Sequence, residues 1–224
     1  MSTILLIRHG ETFSNVGLPT PCPETISLTK LGIKQAECIA EYLKSQFSLD
    51  LIVTSSYQRA KQTAAPTRSF FPSVPEEEWP VKEFTFLSSV QGKNSTINDR
   101  RPLVEAYWKA CNLSYIDGPG SESFEQFIES ARRVITRLKC TEYNTIAMFS
   151  HRQFICALLW LSQRDPVDLS QETMREFRDF LNENALVDGA IVRMQFDNSD
   201  ERWQCKIITS HLENLEKQGL APVG

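Results

Sequence analysis

TILLIRHG, residues 3–10, joins a continuous apolar run to the polar triplet Arg8, His9 and Gly10. Apolar residues at consecutive rather than alternate positions are typical of a strand that is buried on both faces. Such strands form the centre of parallel sheets, which helices cover on both sides. The stretch therefore predicts an inner strand of an α/β fold, ending in a polar loop that carries Arg8 and His9.

Two later stretches repeat this pattern. Residues 50–53 (Asp-Leu-Ile-Val) precede the polar turn of residues 54–56, and residues 145–149 (Thr-Ile-Ala-Met-Phe) precede Ser150 and His151. Each run is four or five residues long, which is the length of a buried strand rather than of a helix. We therefore predict three inner strands, each followed by polar residues at its carboxyl end.

Helical patterns lie between the predicted strands. One apolar stripe follows the cap residue Thr29, and the clearest one follows Ser123, which forms a capping-box pattern with Gln126. The alternation of strand, loop and helix predicts a three-layer α/β sandwich with a mostly parallel central sheet. Residues 189–196 and 203–208 flank an Asn-Ser-Asp turn and predict an antiparallel hairpin at the edge of that sheet.

Residues 72–120 are less regular and contain several prolines. There we predict a short strand around Val81 and a helix over residues 103–111. The chain length suits one α/β domain over residues 1–224. Within it, we expect residues 72–120 to form an insertion that shapes substrate specificity.

Composition excludes several classes of protein. The formal net charge of -4 argues against a nucleic-acid scaffold that is held by phosphate contacts. The 6 cysteines form no Cys-x-x-Cys pair, which favours a reduced, cytoplasmic protein. No apolar stretch has the length of a signal-peptide core or a membrane span. We therefore expect a cytoplasmic protein with neither a nucleic-acid nor a membrane partner.

Four cationic or titratable residues fall near predicted carboxyl ends of strands, where ligands bind in parallel α/β sheets: Arg8, His9, Arg59 and His151. A buried cluster of cations costs free energy unless an anion fills it. The planar guanidinium group of arginine donates two parallel hydrogen bonds to a phosphate. One histidine after a strand would be an ordinary polar residue, but two beside two arginines predict a phosphate pocket.

These residues belong to a series of short motifs spread over about residues 3–155. In chain order the motifs are Arg8-His9-Gly10-Glu11-Thr12 with Asn15, Leu28-Thr29 through Gly32 to Gln35-Ala36, Thr54-Ser55-Ser56 leading to Arg59-Ala60 and Gln62-Thr63-Ala64, Gly120-Ser121-Glu122, and Ser150-His151. Each string is weak alone, but their combination and order are specific. Together they resemble the histidine phosphatase superfamily, in its phosphoglycerate-mutase-like branch (branch 1).

The resemblance implies a phosphomonoester hydrolase of the histidine acid phosphatase type, acting on a small phosphorylated substrate without metal or cofactor. His9 would attack phosphorus in line and form a phosphohistidine, which requires a neutral imidazole with one free ring nitrogen. Arg8, Arg59 and His151 would hold the phosphoryl oxygens in a preorganised frame. Asn15 would add a neutral donor.

The reaction also needs a general acid, because an alkoxide leaves poorly. In the family an acidic residue between the second arginine and the Gly-Ser-Glu element supplies this proton, and Glu83 is our candidate. An apolar surround would raise the pKa of Glu83 toward the range useful for acid catalysis. Glu11 and Glu122 are alternatives, and Glu83 could instead be an ordinary carboxylate at a strand edge.

Further arginines are candidate substrate contacts. Arg152 and Gln153 follow the second histidine, where the family commonly has glycines. Arg152 could therefore bind an anion or point outward in the first turn of a helix. Arg100 and Arg101 are similar to the paired arginines that hold a substrate carboxylate in the mutases. Their alternative is a solvated helix start.

Three other functions compete with hydrolysis. A phosphoglycerate mutase would use the same phosphohistidine but shield it from water, and the sequence lacks the longer mutase insertion after the acid residue. A non-catalytic module that binds phosphorylated ligands would have lost a residue of the cationic cluster, yet all are present. A metallophosphatase would need a ligand cluster such as His-x-His or Asp-x-Asp, and the sequence has neither. The sequence leaves the substrate and the oligomeric state open.

Overall fold

The computed structural model describes residues 2–20, 22–88, 94–164, 166–197, 202–213 and 215. Within these residues the sheet has six strands: β1 (Thr3–Arg8), β2 (Leu51–Thr54), β3 (Glu76–Glu78), β4 (Thr145–Ser150), β5 (Ile191–Asp197) and β6 (Arg202–Ile208). The α-helices of the same residues are α1 (Lys30–Gln46), α2 (Gln58–Phe70), α3 (Ile97–Ala110), α4 (Phe124–Lys139), α5 (Arg152–Arg164) and α6 (Gln171–Glu183). None of these helices is both long and apolar enough to cross a membrane.

The sheet is parallel over most of its width and antiparallel at one edge, which confirms the predicted α/β fold. Its strand order is β3-β2-β4-β1-β5-β6, in which β3, β2, β4 and β1 are parallel, whereas β5 runs antiparallel to β1 and β6 to β5. Arg8 pairs in register with Ser150, and Thr54 pairs with Phe149. The carboxyl ends of β1, β2 and β4 therefore lie at one edge of the sheet.

Both faces of β1 are covered by helices. Leu5 and Ile7 pack in a core with residues of α1 and α2 on one face, whereas Ile4 and Leu6 belong to a larger core with α4, α5 and α6 on the other. All four side chains are completely buried. A strand with two buried faces has no position for a polar side chain, which explains its continuous apolar run.

The predicted caps begin the helices that flank the sheet. The Thr29 hydroxyl accepts a hydrogen bond from the Gly32 amide at 3.1 Å and begins α1. Ser123 and Gln126 form the expected capping box and begin α4. Both caps satisfy amide groups that the first helical turn leaves without intrahelical partners.

The prediction of a strand around Val81 is wrong. The edge strand β3 forms earlier, and the chain leaves the sheet after it, where Pro80 supplies no amide for a ladder. Val81 is instead buried, and its carbonyl oxygen accepts a hydrogen bond from the Ser150 hydroxyl at 2.7 Å. The segment that follows thereby crosses the carboxyl ends of the strands.

The predicted helix over residues 103–111 begins earlier and ends one residue sooner, as α3. A capping box between Thr96 and Asp99 fixes its start. The predicted hairpin is confirmed as β5 and β6, which pair from Ile191↔Ile208 to Asp197↔Arg202. Its Asn-Ser-Asp turn, residues 198–200, lies outside the described residues.

Candidate active site

Residues from three strand ends meet at the carboxyl edge of the sheet. His9 directly follows β1, His151 directly follows β4, and Arg59 lies in the first turn of α2, which follows β2. The imidazole rings of His9 and His151 have centroids 5.2 Å apart. Both rings lie beside the guanidinium groups of Arg8 and Arg59, which act on the pKa of each imidazole.

His9 has a defined tautomer. Its side chain is buried, and Nδ1 lies 2.8 Å from the carbonyl oxygen of Gly10. Because a carbonyl oxygen only accepts hydrogen bonds, Nδ1 carries the proton and Nε2 keeps a free lone pair. Burial, together with the charges of Arg59 and Arg8, lowers the pKa of His9 well below its usual value. The imidazole is therefore neutral at pH 7.

Close backbone packing fixes the loop that carries His9. The Gly10 amide donates to the Thr63 hydroxyl at 3.0 Å, and the Glu11 amide donates to Gln35 Oε1 at 2.7 Å. A Cβ atom added at Gly32 would lie 2.1 Å from the carbonyl oxygen of Glu11, and one at Gly10 would lie 2.5 Å from that of Gly32. Two glycines thus allow the loop to rest on the first turn of α1.

His151 is held from one side of its ring. Its Nε2 lies 2.9 Å from the hydroxyl of Ser55, and its ring packs edge-on against Tyr57 with centroids 5.2 Å apart. Within the described residues its Nδ1 is buried without a hydrogen-bond partner. Burial, followed by the charge of Arg59, lowers the pKa of His151 well below its usual value. The geometry leaves one buried ring nitrogen available to a ligand.

Arg8 is anchored by a buried carboxylate. Its Nη1 donates to the carbonyl oxygen of Leu186, and its Nη2 lies 2.6 Å from Oδ1 of Asp188. Asp188 is completely buried, and this burial raises its pKa to about 6 despite the opposing charge of Arg8. The ion pair fixes the direction of the Arg8 guanidinium group.

Arg59 approaches the same place from α2. Its Nη1 donates to the carbonyl oxygen of Pro23 at 2.6 Å, and its guanidinium carbon lies 4.8 Å from the centroid of the Tyr57 ring. Burial, with a smaller contribution from the neighbouring charge of Arg8, lowers the pKa of Arg59 to about 10. Two buried guanidinium groups that disfavour each other's charge form a site for an anion.

Glu83 faces both arginines. Its Oε1 accepts hydrogen bonds from the Gln153 amide at 3.0 Å, in the first turn of α5, and from the Phe84 amide at 3.3 Å. Burial raises the pKa of Glu83, although the charges of Arg59 and Arg8 and the two amides oppose it. A carboxyl group whose pKa is raised beside a cationic pocket has the properties of a general acid.

The alternative acids have other partners. Glu11 Oε1 accepts a hydrogen bond from the Thr29 hydroxyl at 2.7 Å. Glu122 Oε1 accepts one from the Thr85 amide at 3.1 Å, and its Oε2 lies 3.7 Å from Nζ of Lys82. These contacts connect Glu11 to the cap of α1 and Glu122 to the segment that carries Glu83.

The remaining candidates are spread around the site. Asn15 Oδ1 accepts from the Thr12 amide at 3.0 Å, which closes a turn just after the His9 loop. Arg152 donates to the carbonyl oxygen of Leu181 in the last turn of α6. Arg101 is exposed, with Nη2 only 3.4 Å from Asn98 Oδ1. Of these additional arginines, Arg100 is the one that lines a cleft beside Arg59 and Glu83.

That cleft has a volume of about 200 Å³. Arg59 and Glu83 lie in its wall, and most of its other residues are apolar or aromatic. The apolar part is formed by Ile26, Tyr57, Phe84, Phe86, Leu87 and Val104. Several of these residues belong to the predicted insertion, residues 72–120. Within the described residues no group of three or more His, Cys, Asp or Glu side chains could hold a metal ion.

Two residues of the site escape sequence reasoning. Asp188 precedes Gly189, whose φ of +78° makes a tight turn before β5, and an Asp-Gly pair indicates a turn rather than a buried carboxylate. Tyr57, which contacts both Arg59 and His151, looks like the ordinary first residue of a helix. The one sequence feature that could have identified Asp188 is its position just before a buried strand. A carboxylate that is buried there requires a charged partner.

Comparison with known proteins gives consistent matches. The model of the histidine phosphatase superfamily (branch 1) matches residues 4–179. The chain is 26% identical over 223 residues to the uncharacterized phosphatase PhoE of Bacillus subtilis (strain 168), covering 97% of this chain and 100% of that protein. It is 30% identical over 166 residues to the adenosylcobalamin/alpha-ribazole phosphatase of Escherichia coli (strain K12), covering 69% of this chain and 75% of that protein.

A solved structure has the same fold. Phosphoserine phosphatase from Entamoeba histolytica, in complex with 3-phosphoglyceric acid, matches with a TM-score of 0.69 and 20% sequence identity. The match covers 95% of this chain and 100% of that chain. At this level of identity the likeness shows a shared fold.

Proposed function

The chain belongs to branch 1 of the histidine phosphatase superfamily, and on that premise we propose that it hydrolyses a small phosphomonoester through a phosphohistidine on His9. Its relatives include phosphatases named for alpha-ribazole and for phosphoserine. Those two alcohols differ widely. We therefore infer the hydrolytic reaction from the relatives and the kind of substrate from the cleft of this chain.

One observation carries the proposal: the neutral imidazole of His9 presents a free Nε2 beside two buried guanidinium groups. Burial and the neighbouring cations disfavour the imidazolium form and keep the nucleophile unprotonated. The same cations attract the dianionic phosphoryl group that the nucleophile attacks. His151 Nδ1, which has no partner among the described residues, is the donor we assign to a phosphoryl oxygen.

In the first half-reaction His9 Nε2 attacks phosphorus as the bond from phosphorus to the alcohol oxygen breaks. The leaving oxygen takes the proton of Glu83 and departs as a neutral alcohol, which leaves Glu83 ionised. Arg8 and Arg59 bind the equatorial oxygens, whose charge increases as the phosphoryl group transfers. In the second half-reaction Glu83 accepts a proton from water, and the resulting hydroxide displaces His9. Inorganic phosphate and protonated Glu83 result.

The test is phosphate release together with detection of the phosphoenzyme. Purified protein should release inorganic phosphate from phosphomonoesters, and EDTA should leave the rate unchanged. Alkaline quenching during turnover, followed by peptide mass spectrometry, should locate a phosphoryl group on His9. His9→Ala, shown to be folded by circular dichroism, should lose both the label and the activity. Equal activity in His9→Ala, or activity abolished by EDTA, would refute the mechanism.

Single turnover separates hydrolysis from mutase chemistry. A phosphoenzyme formed in the absence of an acceptor alcohol should decay within the time of one catalytic turnover, because water reaches the phosphohistidine. A phosphoenzyme that persists until a phosphoglycerate is added would instead indicate a mutase. Binding of phosphorylated compounds without release of phosphate would indicate a non-catalytic module.

A further inference from the structure

The chemistry at His9 leaves most of the cleft without a role. Arg59 and Glu83 line the cleft, so a phosphoryl group bound between Arg8, Arg59 and His151 adjoins it at the point where Glu83 protonates the leaving alcohol. The alcohol part of the substrate must then extend from Glu83 along the cleft. The walls of the cleft therefore select the alcohol, and this selection rests on the function proposed above.

The rings of the apolar wall are packed against other side chains of the protein. The Phe84 ring stacks on Phe127 with centroids 4.3 Å apart, and the Phe86 ring packs against Tyr107 with centroids 4.6 Å apart. The Tyr57 hydroxyl lies 3.0 Å from the Thr85 hydroxyl. Rings held in this way do not have to be ordered when a ligand arrives, so more of the free energy of apolar contact is available for binding.

The volume of the cleft fits one ring. Its size is about 200 Å³, and an apolar cavity of about 150 Å³ is sufficient to bind benzene. A single six-membered aromatic ring with a small substituent therefore fills the cleft. A short polar alcohol would leave the apolar wall facing water.

Arg100 places a positive charge on the α3 side of this cleft. Its Nη1 donates to the carbonyl oxygen of Ser95 at 2.8 Å and lies 2.9 Å from the Ser95 hydroxyl. Ser95 is itself bridged to Thr20, whose carbonyl oxygen accepts from the Asn94 amide at 2.8 Å. The guanidinium group is thus held in position by backbone and hydroxyl oxygens.

No carboxylate of the described residues forms an ion pair with Arg100: the charge of Asp99 acts on the pKa of Arg100, but the Asp99 carboxylate is bonded to the amide and hydroxyl of Thr96. The side chain is partly buried, and an arginine withdrawn from water gains most from an anionic partner that binds both ends of its planar fork. Arg101, the next residue, is exposed and does not line the cleft. Of the two adjacent arginines, therefore, Arg100 can contact a ligand in the cleft and Arg101 cannot.

From these features we infer that the substrate is a phosphomonoester of an alcohol with a single aromatic ring, and that the ring carries an acidic group that pairs with Arg100. The phosphoryl group lies between the histidines, the ring against Phe84 and Phe86, and the acidic group at α3. Both ends of the substrate are anionic and its middle is flat and apolar.

The test compares phosphates of primary alcohols, whose leaving groups have similar reactivity. Benzyl phosphate should be hydrolysed with a kcat/KM on the order of tenfold above that of glycerol 3-phosphate, because the ring buries apolar area. 4-Carboxybenzyl phosphate should exceed 4-methylbenzyl phosphate by about tenfold, through the charge-assisted contact with Arg100. Arg100→Ala should bring the ratio of 4-carboxybenzyl to 4-methylbenzyl hydrolysis close to one. Arg101→Ala is the matched control and should retain both preferences.

The outcomes separate the inference from the proposed function. If the wild type releases phosphate from no phosphomonoester, p-nitrophenyl phosphate included, or if His9→Ala releases it equally well, the proposed function is refuted. If the wild type hydrolyses glycerol 3-phosphate and phosphoserine as well as the benzyl compounds, the aromatic selection is refuted while phosphatase activity stands. If Arg100→Ala and Arg101→Ala give the same ratio of carboxybenzyl to methylbenzyl hydrolysis, the acidic group is not read by Arg100.

Discussion

Two carboxyl groups, Glu83 and Asp188, act on the pKa of Arg8 and have different surroundings. Glu83 accepts two amide hydrogen bonds at the edge of the cleft, whereas Asp188 is paired with Arg8 and has no exposure to solvent. Burial raises the pKa of both. Only Glu83 borders the cleft, so only Glu83 can exchange a proton with a substrate. Asp188 acts through Arg8 as a positioning residue.

The role of Glu83 predicts a dependence on the leaving group. Glu83→Gln should lower kcat for alkyl phosphomonoesters by on the order of a hundredfold or more, because the alkoxide then leaves without a proton. Hydrolysis of p-nitrophenyl phosphate should change much less, since p-nitrophenolate leaves unaided. Glu122→Gln is the matched control, because Glu122 contacts Thr85 rather than the arginines. An equal loss on both substrates in Glu83→Gln would contradict the acid role.

Asp188 predicts a measurable effect of pH on stability. Its pKa is about 6 in the folded protein and 3.8 in a model peptide. Between these values the folded state binds a proton that the unfolded state has released, so this group lowers the free energy of unfolding as pH rises. Asp188→Asn removes this titrating carboxyl group. The slope of unfolding free energy against pH should therefore become more positive by up to about 1.4 kcal/mol per pH unit.

Urea unfolding at several values between about pH 4 and pH 6 measures this slope. Loss of the ion pair with Arg8 changes the stability of the variant at every pH, but a constant offset does not alter a slope. The histidines titrate in part of the same range with the opposite sign, and they are unchanged in the comparison. Parallel curves for wild type and Asp188→Asn would show that the carboxyl group is already ionised in the folded protein.

The contact between the His9 loop and α1 requires that residue 32 has no side chain. Replacing glycine by alanine inside a helix normally stabilises it by about 1 kcal/mol. Gly32→Ala should instead destabilise the protein by about 1–3 kcal/mol, because its Cβ would lie 2.1 Å from the carbonyl oxygen of Glu11. Lys34→Ala, on the exposed side of α1, is the control in thermal unfolding. A stabilised Gly32→Ala would show that the loop gives way easily.

How far elements could be predicted from sequence depends on whether a local pattern determines them. The strands β1, β2 and β4 and the helices α1 and α4 carry apolar runs or capped stripes, and each formed near its predicted position. The strand around Val81 did not form, because Pro80 and a bond from the Ser150 hydroxyl draw the chain off the sheet. Because the carboxyl ends of parallel strands lie at one edge of a sheet, the sequence predicts that Arg8, His9 and His151 lie at that edge. It cannot anticipate Asp188, whose pairing with Arg8 depends on a tertiary approach across 180 positions.

For the molecule as a whole, the important feature is a pair of guanidinium groups withdrawn from water, Arg8 and Arg59, which lower each other's pKa, whereas Glu83 raises the pKa of both. An anion bound between them stabilises the folded state alone. Phosphate or vanadate at about one hundred times its Kd should raise the free energy of unfolding by about 2.7 kcal/mol. The unfolding temperature should rise with anion concentration.

Arg59→Met should abolish this shift, because the anion loses one of its two guanidinium partners and the site loses its charge balance. Arg68→Met is the matched control: it lies on the same helix, α2, and its partner is the surface carboxylate of Glu76 at 2.9 Å. Added sodium chloride at equal ionic strength separates specific binding from screening of surface charge. If Arg59→Met and Arg68→Met show the same rise in unfolding temperature with vanadate, then the anion binds elsewhere. The convergence of strand ends would not then constitute the phosphate site.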